Sequence, residues 1–300
     1  ANDRDGTGRA RTGLWKRRLS IHDGSQQIRL PDREVTMRTV YVNGEFLPET
    51  EAKISIFDRS FLFADGVYEV TSGLDGRLID FTGHMKRLER SLAELKFQFK
   101  PDIDQLLEAH RELVKLNDIT EGLIYLQVSR GSAGDRDFAI DPQTPPTIVM
   151  FTQSKSLIKS ALAERGQKIV TFPDIRWRRS DIKTTQLLYA SLLKTDAAAK
   201  GKDDAWMVLD GYVTEGSSNN AYIVTKDGTI VTRELSTDIL HGITRAAVLK
   251  CAEELQLKVE ERHFTIEEAQ NAAEAFSTSA SAFVCPVVEI DDKKIGDGVP

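Results

Sequence analysis

A lysine and a glutamate in two short polar runs offer the plainest chemistry in this chain. Lys183 lies in Asp181-Ile182-Lys183-Thr184-Thr185, and Glu215 in Thr214-Glu215-Gly216-Ser217-Ser218-Asn219-Asn220. An amine can condense with an aldehyde, and a carboxylate can keep the nitrogen of a heteroaromatic ring protonated so that the ring takes up electrons from a carbanion. A phosphate on such a ring needs a cation and a helix N-terminus. A guanidinium suits bidentate phosphate contact, though several arginines could supply it. Gly242-Ile243-Thr244 opens an expected helix, Thr244 to Leu255, with amide and hydroxyl donors. Gly216-Ser217-Ser218 adds backbone N–H groups and hydroxyls directly after Glu215. Taken singly these have plainer readings: a surface lysine, a turn glutamate, a charge on a solvated helix face. Their ordered occurrence together argues for a site. Other chemistries have less support. His22, His84, His110, His241 and His263 stand in separate segments without HxxH or HxxxH spacing, so no metal centre is expected. No Ser/His/Asp arrangement and no GxGxxG or Walker-type loop is visible.

These runs and their flanks resemble the fold type IV pyridoxal-phosphate enzymes, and most closely the D-amino-acid transaminases of that group. Further matching segments are Val67-Tyr68-Glu69-Val70, His84-Met85-Lys86-Arg87-Leu88, Gln127-Val128-Ser129-Arg130-Gly131, Ile175-Arg176-Trp177, Gly242-Ile243-Thr244-Arg245 and Phe276-Ser277-Thr278-Ser279. The likeness runs from about Tyr41 to the end. It implies an α/β (α+β) fold of two domains with pyridoxal 5'-phosphate at their interface. Lys183 would then bind the cofactor as a Schiff base and act as the catalytic proton carrier, while Glu215 bonds the ring nitrogen. Arg87, Ile243, Thr244, Ser279 and Ala280 would hold the phosphate, Ala280 through its backbone alone. Ser218 and Asn219 would flank the ring, and Leu240 would be a further cofactor contact. Tyr68 and Arg130 would trap the substrate carboxylate, with Ser132 where the group carries a histidine. A hydroxyl there can donate one hydrogen bond but carries no charge. In the group the arginine loop reaches over the neighbouring subunit's site, which implies a homodimer. The expected reaction moves the amino group of a D-amino acid such as D-alanine to a 2-oxo acid such as 2-oxoglutarate. Within the fold the alternatives are a branched-chain L-amino-acid aminotransferase, an (R)-amine transaminase and an aminodeoxychorismate lyase. Outside it, a non-catalytic protein that keeps the cofactor remains open.

The composition sets bounds on these readings. At 300 residues with 40% hydrophobic content, the chain can form one large or two medium cores. A net charge of −6 argues against a nucleic-acid partner, and no apolar run approaches the roughly 18 residues that span a membrane. Two cysteines, Cys251 and Cys285, suit a reducing compartment and a cytoplasmic location. Cys251 falls on the stripe Ala247, Val248, Cys251, Ala252 and Leu255, which places it in a core. Residues 1–38 hold eight arginines and one lysine against five acids, so 1–39 reads as a disordered basic extension. The ends of the sequence read as those of a fragment.

The elements that must position the site can be sketched from turns and periodicity. Asn43-Gly44 marks a hairpin within 40–47, and Asp75-Gly76 a second one between Val67–Leu74 and Arg77–Phe81. Thr82 is the expected cap of a helix whose apolar face is Met85, Leu88, Leu92 and Leu95, and a second helix covers Ile103 to Leu116. With strands at 123–128 and 147–152, these make an α+β domain over 40–155. A polar stretch, 153–163, reads as a linker. The larger, cofactor-binding domain, 164–300, alternates short strands (168–172, 205–209, 221–225, 229–232) with helices at 187–200, 244–255 and 266–273.

Overall fold

Alternating burial along two groups of strands builds two sheets in the computed structural model, which describes residues 37–300. Most of the expected basic extension lies outside the described residues, and Thr39 already belongs to a strand. β1 (Thr39–Val42) and β2 (Glu45–Pro48) form the expected hairpin, with Asn43 and Gly44 both at positive φ. After α1 (Arg59–Phe63), β3 (Gly66–Leu74) and β4 (Arg77–Leu78) make the second hairpin, followed by α2 (Phe81–Glu94) and α3 (Ile103–Leu116). β5 (Glu121–Ser129) and β6 (Thr147–Ser154) complete an antiparallel sheet in the order β2-β1-β6-β5-β3-β4. In β5 the side chains of Ile124, Leu126 and Val128 are fully buried, against Leu88 of α2 and Leu113 of α3. Tyr125 and Gln127 take the opposite face, as the two-residue period of a strand requires. Truncating any one of these core side chains to Ala should cost roughly 2–5 kcal/mol.

Helix α2 begins two residues earlier than a Thr82 cap would have it. Phe81 is drawn into the core, packing edge-on to His110, and Asp80 becomes the N-cap without a side-chain cap bond. In α3 the cap is conventional, with Asp102 accepting from the N–H of Gln105.

The expected linker contains the end of β6 and Ser160, which caps α4 (Ala161–Arg165). Then follow β7 (Gln167–Pro173), α5 (Leu188–Ala199), β8 (Asp204–Leu209), β9 (Tyr212–Gly216), β10 (Asn220–Val224) and β11 (Ile230–Thr232). α6 (Ile243–Glu254), β12 (Val259–Glu261), α7 (Ile266–Gln270), β13 (Glu274–Ser279), β14 (Phe283–Ile290) and β15 (Lys293–Lys294) close the chain. The second sheet runs β12-β11-β10-β13-β14-β7-β8-β9, with β15 beside β14. It is mixed, because β7 lies parallel to both β8 and β14. Trp206, Ile169, Val213 and Phe264 fill its core.

Cys251 is exposed, contrary to the helical stripe that placed it inside. The buried side of α6 is instead set by Arg245 and Ala252. Arg245 bonds the carbonyl of Arg233 and pairs with Glu261, and this charged anchor turns Cys251 outward.

Candidate active site

Lys183 sits on an irregular loop that the sheet edge makes regular. Short β4 leaves one edge of β3 unpaired near its start, and residues 183–185 take it. Tyr68 N donates to the carbonyl of Lys183 at 3.0 Å, Thr185 N donates to that of Gly66 at 3.0 Å, and Thr184 bridges Val67. Upstream, Asp181 is buried and held by Arg90 and Arg179. The ammonium of Lys183 then lies 4.1 Å from the centre of the Tyr68 ring.

Glu215 ends β9 and is buried. Its Oε1 accepts from Arg176 Nη1 at 2.6 Å, and its Oε2 accepts from Asn220 Nδ2 and from the backbone N–H of Leu240, both at 3.0 Å. Burial pushes its carboxyl above the usual range, with the Arg176 guanidinium opposing that rise. The turn that follows is tightly made. A Cβ on Gly216 would come within 2.1 Å of Asn219 Oδ1, and one on Gly242 within 2.1 Å of Asn220 Oδ1. Buried Asp204 anchors the turn through Ser217 Oγ and Asn219 Nδ2, leaving Ser218 exposed.

Arg87, on α2, is held from behind. Its Nε and Nη2 donate to Glu69 at 2.8 and 2.7 Å, and its Nη1 donates to the carbonyl of His241 at 3.0 Å. Glu69 lies on the buried side of β3 and also contacts His84 Nδ1 at 2.7 Å. Burial opposes its ionisation, but Arg87 and His84 outweigh it and hold the carboxyl at about 2.

A cavity of about 720 Å³ brings these groups together. Lys183, Glu215, Arg87, Ser218, Asn219, Leu240, Ile243, Thr244, Ser279, Ala280 and Tyr68 all line it. The N-terminus of α6 opens there, and its N-cap, Gly242, makes no side-chain cap bond, so first-turn N–H groups remain for an anion. An amine, a buried carboxylate, an arginine and a free helix end around one cavity fit pyridoxal 5'-phosphate group by group. Ile175, Trp177, Leu187, Leu188 and Leu192 add an apolar wall.

Two expected residues are not there. Arg130 and Ser132 do not line the cavity. The Arg130 guanidinium is buried, donates to Asp65 and to the carbonyl of Leu95, both at 2.8 Å, and lies 4.0 Å from the centre of the Phe97 ring. Its guanidinium thus faces partners inside the fold in this structure, away from the cavity. Arg136 lies six positions on. It is exposed, stacks at 4.9 Å on both Phe63 and Phe138, and has no carboxylate partner among the described residues. Phe63 lines the cavity. Roles for Arg176, Asn220, Glu69 and Asp204 were missed. Glu69 alone left a signal, a charged residue among Val67, Val70 and Thr71 in a strand.

The model for the amino-transferase class IV family matches residues 66–290. The D-alanine aminotransferase of Staphylococcus haemolyticus is 38% identical over 262 residues, covering 87% of this chain and 92% of that protein. The branched-chain amino acid aminotransferase of Escherichia coli shares the fold at a TM-score of 0.80 and 24% identity, over 88% of this chain and 90% of that one. A second branched-chain amino acid aminotransferase, from T.th. and solved with pyridoxamine 5'-phosphate, gives 0.77 at 27% identity, over 88% and 89%. The chain belongs to the class IV aminotransferases, a fold type IV family of pyridoxal-phosphate-dependent enzymes.

Proposed function

We propose that this transaminase moves the amino group of a D-amino acid, D-alanine or a close analogue, to a 2-oxo acid such as 2-oxoglutarate. The arrangement of Lys183, Glu215, Arg87 and the α6 N-terminus around one cavity carries the transaminase reading. Extended likeness to a D-alanine aminotransferase supports the D-amino acid. When bound, pyridoxal phosphate supplies an aldehyde for the substrate amine and a ring that accepts electrons. Lys183 would take and carry the proton of the substrate Cα. Glu215 holds the ring nitrogen protonated. Arg87, with the amides of Ile243 and Thr244, holds the phosphate, and Ser279 and Ala280 close that end. Ser218 and Asn219 border the ring, and Leu240 fixes the Glu215 carboxylate through its N–H. Tyr68 orients the substrate carboxylate. Its positive partner in this reading is Arg136, because Arg130 is committed to Asp65.

The working unit in this reading is a homodimer. Ile56, Phe57, Phe61, Phe138 and Ile140 are exposed, and Arg59 ties the two segments together by donating to the carbonyls of Asp137 and Ala139. A patch of this kind suits a partner surface. Two unpaired cysteines suit the cytoplasm. No helix among the described residues is long and apolar enough to cross a membrane. The division into a smaller domain, 40–155, and a larger one, 164–300, remains part of the proposal, each half carrying one sheet.

A second reading, branched-chain L-amino-acid transamination, is favoured by the apolar wall around Trp177 and Leu188. Mixing the coloured holoenzyme with D-alanine, L-leucine or (R)-phenylethylamine, without an acceptor, separates the readings. Rapid loss of the cofactor's visible absorbance with D-alanine alone supports the proposal. Bleaching by L-leucine or the amine moves the enzyme to a neighbouring specificity.

A further inference from the structure

Arg176 stands at the end of a chain of charges that reaches Glu215 from behind. Its Nε and Nη2 donate to Asp174, at 3.0 and 2.7 Å, while its Nη1 donates to Glu215. Asp174 is itself fixed by Thr214 Oγ1 at 2.7 Å, and Thr214 immediately precedes Glu215 on β9. A fourth contact, from Arg176 Nη2 to the carbonyl of Asp238 at 3.2 Å, joins the loop that supplies the N–H of Leu240. One guanidinium thus links the end of β7, the end of β9 and the loop before α6 around a single carboxylate.

We propose that Arg176 is a positioning residue that keeps Glu215 ionised and aimed, so that the strength of the electron sink is set through the carboxylate's own partner. This rests on the reading that Glu215 serves the cofactor's ring nitrogen. The other donors to Glu215 are Asn220 and the Leu240 N–H, both neutral. The charged groups facing it are Arg176 and, behind that, Asp174, with Lys183 and Arg87 across the cavity. A carboxylate with no solvent and only two neutral donors takes up a proton far more readily than one paired with a guanidinium. Once neutral, it no longer favours a protonated ring nitrogen.

The test uses full-length holoenzyme carrying Arg176→Gln, Arg176→Lys, Glu215→Gln, and Arg176→Gln with Glu215→Gln together. In Arg176→Gln the acid limb of kcat against pH moves upward by at least one unit, a tenfold loss at fixed pH below it, while KM for the amino acid changes less than threefold. Arg176→Lys recovers most of that shift. Adding Arg176→Gln to Glu215→Gln changes the profile no further. In the wild-type holoenzyme the infrared difference against Glu215→Gln shows an ionised carboxylate band at neutral pH, a readout that needs no Arg176 variant to fold. An unmoved acid limb in Arg176→Gln with only a lower Tm overturns the inference and leaves Glu215's role intact, whereas a protonated carboxyl band in the wild type overturns both. Unchanged kcat in Glu215→Gln overturns the reading beneath it, and this inference with it.

Discussion

Exchanging Arg130 and Arg136 for alanine, one at a time, separates a structural guanidinium from one that meets substrate. Arg130 is buried, and its loss removes an ion pair to Asp65, a bond to the carbonyl of Leu95 and a stack on Phe97. Breaking a buried pair costs roughly 3–5 kcal/mol when the remaining charge is orphaned. Here Asp65 keeps Arg59 at 2.8 Å, so the lower end applies. At roughly 2–4 °C per kcal/mol for a domain of this size, Tm should fall by roughly 6–12 °C. KM for D-alanine should stay close to the wild-type value. Arg136 is exposed and only stacks on two rings. Its removal should leave Tm nearly in place. A lost charged hydrogen bond to a carboxylate is worth about 1.5–3 kcal/mol, on the order of 10–100-fold in kcat/KM for D-alanine. Differential scanning fluorimetry and steady-state kinetics on the two holoenzymes read both quantities. A tenfold rise in KM for Arg130→Ala at unchanged Tm would falsify this assignment of the two arginines.

Other changes probe the site and its support. Lys183→Ala should abolish transamination and the borohydride-stable attachment of the cofactor, and a variant that kept either would remove the lysine from its place. Gly242→Ala puts a Cβ within 2.1 Å of Asn220 Oδ1 and displaces a donor from Glu215. Equilibrium dialysis should show cofactor affinity reduced by roughly tenfold or more, since a bond to a charged group is worth about 1.5–3 kcal/mol. Burial lowers the His110 imidazole from its ordinary 6.5 to about 4, despite the bond to the carbonyl of Leu106. The unfolded chain therefore binds the extra proton first. Stability is fully present above pH 6.5 and declines by up to about 3 kcal/mol as pH falls toward 4, at about 1.36 kcal/mol per pKa unit. Denaturant melts of His110→Leu should show that decline flattened, and an equally steep one would count against it. Glu69→Gln leaves the Arg87 cation buried without its carboxylate. It should destabilise the fold by roughly 3–5 kcal/mol, and because the Glu69 carboxyl is held at about 2, the wild-type advantage persists above pH 4.5 and fades only as pH falls toward 2.

That Lys183, Glu215, Arg87 and the Gly242-Ile243-Thr244 helix start belong together was legible in the sequence through motifs shared with the family, and all of them line one cavity. Helix α3 was legible to the residue because an Asp cap and an apolar period agree locally. What tertiary structure alone decided was how charges were shared. Arg130 and Arg136 look alike in sequence, and only the fold shows that Asp65 and Phe97 take the first and leave the second exposed on the rings of Phe63 and Phe138. Cys251 satisfied a helical stripe, yet the Arg245–Glu261 pair turned the helix away from it. Arg176 stands 39 positions from Glu215, so no local pattern could announce the contact. Periodicity and motif report what a segment needs from its own neighbours, whereas desolvation makes each buried charge find a partner wherever the fold brings one.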